Sequence, residues 1–164
     1  MTPEDLVEME LIKRLKYAYM RCIDQKLWTE LRTLFVDDAV VAYSNGAYTH
    51  EGADNIVEWL RSSMGSETFH SSHRIHHPEI ELTGPTTATA VWALEDTVID
   101  TAWNITIRGA AFYTDEYVKE DGQWKFKFTG YKRSFEELQP RADLGGLKLT
   151  ASWWATDGRS ELPA

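Results

Sequence analysis

The chain has 164 residues, with 26 Asp and Glu against 17 Lys and Arg, and a formal net charge of -9. That length suits one domain with a real core, and 43% hydrophobic residues with 7 Trp, 7 Tyr and 6 Phe exclude a disordered chain. So acidic a chain repels phosphate backbones, and its single cysteine, Cys22, rules out an internal disulfide and a thiolate zinc site. Nucleic acid is therefore not an expected partner. The opening "MTPEDLVEME" lacks the apolar centre of a signal peptide, and no apolar run approaches the roughly 20 residues of a membrane span. These features predict a cytoplasmic protein with no membrane partner.

From Pro3 to Cys22 the apolar residues Val7, Leu11, Ile12, Leu15, Tyr19 and Cys22 recur at helical spacing, with charges between them. Thr2, Pro3 and Glu4 supply a capping hydroxyl, a proline at the first helical position and an acid in the first turn. A short helix in "LWTELRTLF" leads to "VDDAVVAYSNG", where a β-branched run and Asn-Gly start a hairpin. "GADNIVEWLRSSMG" reads as a third helix, with Ile56, Leu60 and Met64 on one side and Gly65 as its stop. Four strands follow, in "HRIHHPEIEL", "TATAVWALEDTVID", "RGAAFYTDEYVKE" and "QWKFKFTGYKRSF", the last two joined by an Asp121-Gly122 turn. Strict alternation puts Trp124, Phe126 and Phe128 on one face of the final strand and Lys125, Lys127 and Thr129 on the other. Helices first and antiparallel strands afterwards predict an α+β fold, with helices on one face of a curved sheet. Residues 1–138 form the expected catalytic domain. Residues 139–164 form an irregular tail whose Leu147, Leu149, Trp153 and Trp154 suit docking on the same or a neighbouring subunit.

Four of the five histidines fall in "HSSHRIHH", residues 70–77. In a strand rising about 3.3 Å per residue, His73 and His77 share a face about 13 Å apart, too far to grip one ion. His76 and His77 point to opposite faces in the same geometry, so a metal site is not expected. The end of the first helix carries Tyr19 and Asp24. A carboxylate beside an imidazole orients it and fixes its tautomer, and a phenol can donate to an oxygen that gains charge. Such a set needs no metal or cofactor, and the chain holds no G-x-G-x-x-G, P-loop or G-x-S-x-G motif. Each residue also has a plainer reading. Asp24 can cap a helix starting near Lys26, Tyr19 can be a core aromatic, and a strand histidine can simply face solvent.

The end of helix one in "IKRLKYAYMRCID" and the strand opening in "HRIHHPEIEL" resemble the SnoaL-like branch of the nuclear-transport-factor-2-like superfamily. That resemblance implies a cone-shaped α+β barrel, cystatin-like, with helices on a mostly antiparallel sheet enclosing an apolar pocket. Scytalone dehydratase and hexachlorocyclohexane dehydrochlorinase share an Asp–His pair placed in this way. The stretches "YMRCIDQKLWTEL", "AYSNG", "HRIHHPEI", "TTATAVWALED", "GAAFYTDEYVKEDGQW" and "TGYKRSFEE" are similar to the bile acid 7α-dehydratases. The similarity implies Tyr19, Asp24 and His73 as catalytic residues, and Tyr43, Tyr113 and Arg133 as substrate-binding residues. It also implies a cofactor-independent lyase, a small apolar polycyclic substrate and a homotrimer.

Overall fold

The computed structural model describes residues 1–163. Helix α1 spans Pro3–Asp24 and starts with a full capping box. The Thr2 hydroxyl accepts from the Asp5 backbone N–H, and the Asp5 carboxylate accepts from the Thr2 N–H. Its inner face buries Ile12, Leu15, Lys16, Tyr19, Met20, Cys22 and Ile23, whereas Val7 and Leu11 remain exposed. A buried lysine on that face departs from the expectation that charges only separate the apolar positions. Helices α2 (Trp28–Thr33) and α3 (Ala53–Met64) complete the helical layer, α3 contributing Ile56 and Leu60 to the core.

Six strands form one sheet: β1 (Phe35–Tyr43), β2 (Tyr48–Glu51), β3 (Phe69–Gly84), β4 (Thr87–Asp100), β5 (Ile105–Glu120) and β6 (Gln123–Pro140). Their order is β2-β1-β6-β5-β4-β3, with β1 and β6 parallel and every other pair antiparallel. Asp121 and Gly122 both take positive φ, 50° and 79°, as a two-residue turn between β5 and β6 requires. The core lies between the helices and the concave face of the sheet, as the α+β cone predicts.

Four local expectations change. β6 carries bulges at Lys127 and at Ser134, because Glu116 pairs with Phe128 while Tyr117 pairs with Phe126, and Ala110 pairs with Phe135 while Ala111 pairs with Arg133. The first bulge sends Phe128 outward and turns Thr129 into the buried interior, opposite Asp115. β3 begins at Phe69 rather than near His73, so His70 lies inside the strand. A second irregularity spans His76 to Glu79, with His77 at φ 46°, and this break in alternation brings the His76 and His77 rings to 5.8 Å. The tail starts after Pro140, which still pairs with Ile105, and continues through a 3-10 turn at Arg141–Asp143.

Candidate active site

Asp24 is the last residue of α1 and caps no following helix, since α2 starts at Trp28 behind Leu27. Its carboxylate is spent on β3 instead. Asp24 Oδ1 accepts from the Ser71 hydroxyl at 2.8 Å and lies 2.7 Å from His73 Nδ1, and Oδ2 accepts from the His73 backbone N–H at 2.9 Å. That backbone donor is free because β3 is an edge strand, paired only with β4. A carboxylate can only accept, which assigns the proton to Nδ1 and leaves the Nε2 lone pair available. With His73 at 11% and Asp24 at 23% side-chain exposure, the dyad is shielded but reachable.

Asp96 on β4 is the cross-strand partner of His73, and it binds Arg133 of β6 through both carboxylate oxygens, Nη2 lying 2.9 Å from Oδ2. Between them β5 presents Gly109, where a Cβ would stand 2.9 Å from Arg133 Nη1, so the guanidinium crosses β5 over a missing side chain. The Tyr131 ring lies 5.0 Å from the guanidinium carbon. Arg133 Nε is buried without a hydrogen bond, although Glu136 approaches it to 3.0 Å.

Deeper inside, the Tyr19 and Tyr43 hydroxyls are hydrogen-bonded at 2.5 Å. Tyr113 meets the Tyr19 ring edge-on at 6.4 Å, and Tyr131 stacks on Tyr43 at 5.5 Å. Burial holds the Tyr19, Tyr43 and Tyr113 phenols well above their ordinary range, so all three stay protonated donors at neutral pH. Beneath them Lys16 Nζ sits 2.8 Å from Asp115 Oδ2 and 3.5 Å from the Tyr113 ring centroid, with both side chains fully buried.

The six residues implied by resemblance thus divide into three groups: Asp24 with His73 on the α1–β3 side, Arg133 locked to Asp96 beside them, and Tyr19, Tyr43 and Tyr113 further in. Asp96, Ser71, Tyr131, Lys16 and Asp115 were not singled out from sequence. Asp96 was the most legible of these, since it falls in phase with the inward Leu94 and Val98 of β4. The remaining histidines go elsewhere: His70 Nε2 lies 2.8 Å from the Ser152 hydroxyl of the tail, and His76 Nε2 lies 3.8 Å from Glu95. Lys26 Nζ also meets the tail, 4.5 Å from the Trp154 ring. No group of three or more His, Cys, Asp or Glu side chains among the described residues is placed to hold a metal ion.

The model of the SnoaL-like domain matches residues 4–129, most of the chain. The chain belongs to the SnoaL-like family. A solved structure of a protein assigned as a scytalone dehydratase from Novosphingobium aromaticivorans superposes at TM-score 0.77 and 27% identity, covering 98% of this chain and 100% of that one. The dehydrochlorinase LinA superposes at TM-score 0.75 and 20% identity, over 88% and 95% of the two chains. The hexachlorocyclohexane dehydrochlorinase LinA-type3 of Novosphingobium barchaimii gives TM-score 0.75 at 19% identity, again over 88% and 95%. At 19–20% identity those two likenesses carry the SnoaL-like fold alone.

Proposed function

We propose that the protein is a cofactor-independent hydro-lyase that removes water from a hydroxysteroid, namely the 7-hydroxyl of a 3-oxo-4-ene bile-acid-type steroid. One observation carries the reading: Asp24 holds the ring and the backbone of His73 at once, at 2.7 and 2.9 Å. Core packing has no use for an imidazole fixed in one tautomer with its second nitrogen left open, whereas a general base has. The nature of one structural neighbour, assigned as a scytalone dehydratase and 27% identical, supports elimination chemistry.

The geometry suits a vinylogous elimination. The proton at C6 of such a steroid is acidic because the electron pair it leaves delocalises through the enone to the C3 oxygen. His73 Nε2 takes that proton. The C3 oxygen, gaining negative charge, accepts from the phenol pair of Tyr19 and Tyr43, in a dry interior where each such bond is stronger than in water. Five residues of α1 separate Asp24 from Tyr19, about 7.5 Å of axial rise, a span that suits acting on two ends of one conjugated system. The electron pair then returns to form the C6–C7 double bond as the C7–O bond breaks, and the proton on His73 leaves with the hydroxyl as water. The same site suits the elimination of another leaving group from a polycyclic ketone or halogenated ring, so substrate identity is tested with activity.

Incubation with 7α- and 7β-hydroxy-3-oxo-4-ene steroids, followed at the long-wavelength absorbance of the 4,6-diene, is the direct assay. His73→Ala should lower the rate by roughly 10²–10⁴-fold. Diene formation by His73→Ala at the wild-type rate would remove the base assignment. No diene from the wild type, with turnover of a halogenated or lactone substrate, would move the reading to that substrate class.

A further inference from the structure

The mechanism leaves the fully buried Lys16–Asp115 pair unused. Lys16 lies three residues before Tyr19, about 4.5 Å further along α1 and away from Asp24. Its ammonium is surrounded by the rings of Tyr113 at 3.5 Å, Tyr19 at 5.1 Å and Phe126 at 5.3 Å, measured to their centroids. Asp115 answers it from β5 at 2.8 Å. That carboxylate is in turn fully engaged, accepting from the Tyr117 and Thr129 hydroxyls at 2.6 Å each, while Tyr117 accepts from Trp92 Nε1 at 3.0 Å. The pair is therefore polarised: its negative end is held by hydroxyls, and its positive end, apart from Asp115 and a long 3.5 Å contact to the Thr129 hydroxyl, faces aromatic rings, two of which carry hydroxyls of the site.

Burying such a pair is expensive, and an apolar pair of similar volume would serve packing as well or better. We propose that Lys16 is a positioning residue of the active site, a buried positive floor whose field through the Tyr19 and Tyr113 phenols stabilises the negative charge arriving on a bound substrate oxygen. This rests on the elimination reading above and adds the chemical class the deep end accepts, an enolate- or phenolate-like oxyanion. The charged and titratable groups facing Lys16 are Asp115, Tyr113 and Tyr117 on β5 and Tyr19 on its own helix, with Tyr43 of β1 one hydrogen bond away. Burial lowers the ammonium below the ordinary lysine range against the pull of Asp115, so the floor discharges at a lower pH than an exposed lysine would.

Two measurements on the full chain test this without any steroid. In protein labelled at tyrosine Cζ, the Tyr113 and Tyr19 carbon resonances should show a step below the ordinary lysine range that disappears in Lys16→Met. The double variant Lys16→Met/Asp115→Asn, which leaves no unpaired charge, covers the case in which the single variant fails to fold. A step that persists unchanged in Lys16→Met and in the double variant overturns the proposal on its own. In the second arm, a series of para-substituted phenols of rising acidity is titrated in. Wild-type affinity should tighten by about tenfold across the series, and the double variant should bind all members alike. Equal slopes in both proteins, or no slope in either, overturn the positive floor. Phenols bound with the expected slope by a protein that dehydrates no hydroxysteroid would instead overturn the steroid reading and leave the floor standing.

Discussion

Asp24 shows how one side chain ties a helix to a strand and sets up a base in the same act. Three donors converge on it, and two belong to His73, so ring and backbone cannot drift apart. Arg133 is held with similar economy, and there the decisive residue is one with no side chain. A methyl at Gly109 would meet Arg133 Nη1 and the Phe135 carbonyl oxygen, both at 2.9 Å. Gly109→Ala should therefore displace the guanidinium from Asp96 and lower stability by about 1–3 kcal/mol, read by urea denaturation. Wild-type stability in that variant would mean that the crossing over β5 has slack. Tyr19, Asp24 and His73 could be singled out in the sequence because their residue types suggest a chemistry together. Lys16 and Asp115 could not, since each alone reads as a solvated charge, and only the fold shows that α1 and β5 bring them together in a dry interior.

Periodicity sufficed for the elements that obey it. Helix α1 with its Thr2 cap, the two-residue turn at Asp121-Gly122 and the inward run of β4 are all visible in the residues. The bulges of β6 are not, because an extra residue such as Lys127 leaves no mark in composition yet reverses every facing beyond it. The early start of β3 was hidden for another reason. "HSSH" looks like a loop, and becomes strand because Asp24 on one side and β4 on the other satisfy its polar groups. The tail then touches this same segment through His70–Ser152 and Lys26–Trp154. Ending the chain after Asp143 removes those contacts but no strand pairing, so the shortened protein should fold, with a Tm lower by about 2–8 °C. Hydrogen exchange should quicken at Phe69–His73 and stay unchanged in β5. Uniformly faster exchange across the sheet would show the tail to be part of the main cooperative unit instead.

At the scale of the whole molecule, no helix among the described residues covers the convex face of the sheet. Phe112 on β5 is 55% exposed, Phe135 on β6 is 56% exposed, and Val91 on β4 lies two strand positions from Ala93, the cross-strand partner of Phe112. Alternation places Val91 and Phe112 outward, since Trp92, Ala111 and Tyr113 point into the core, and Phe135 joins them because the bulge at Ser134 pairs it with the outward Ala110. A net charge of -9 opposes casual self-association, so an apolar strip kept on this face calls for a specific partner. We propose, on the resemblance that implied a homotrimer, that the strip packs around a three-fold axis against the neighbouring copies of the chain. A single Phe112→Glu change would bring a desolvated carboxylate into such an interface, while inside the monomer it touches only solvent and the flanks of β4 and β6. The expected result is a trimer for the wild type and a monomer for Phe112→Glu by light scattering after size exclusion, with matching circular dichroism spectra. A wild type that runs as a monomer at micromolar concentration removes the trimer, and an undisturbed trimer in Phe112→Glu moves the interface off this strip. Because Asp24, His73 and the phenols lie on the concave side, the monomeric variant should keep its chemistry if each cone is a complete site. A parallel loss of activity would mean instead that a neighbouring subunit closes it.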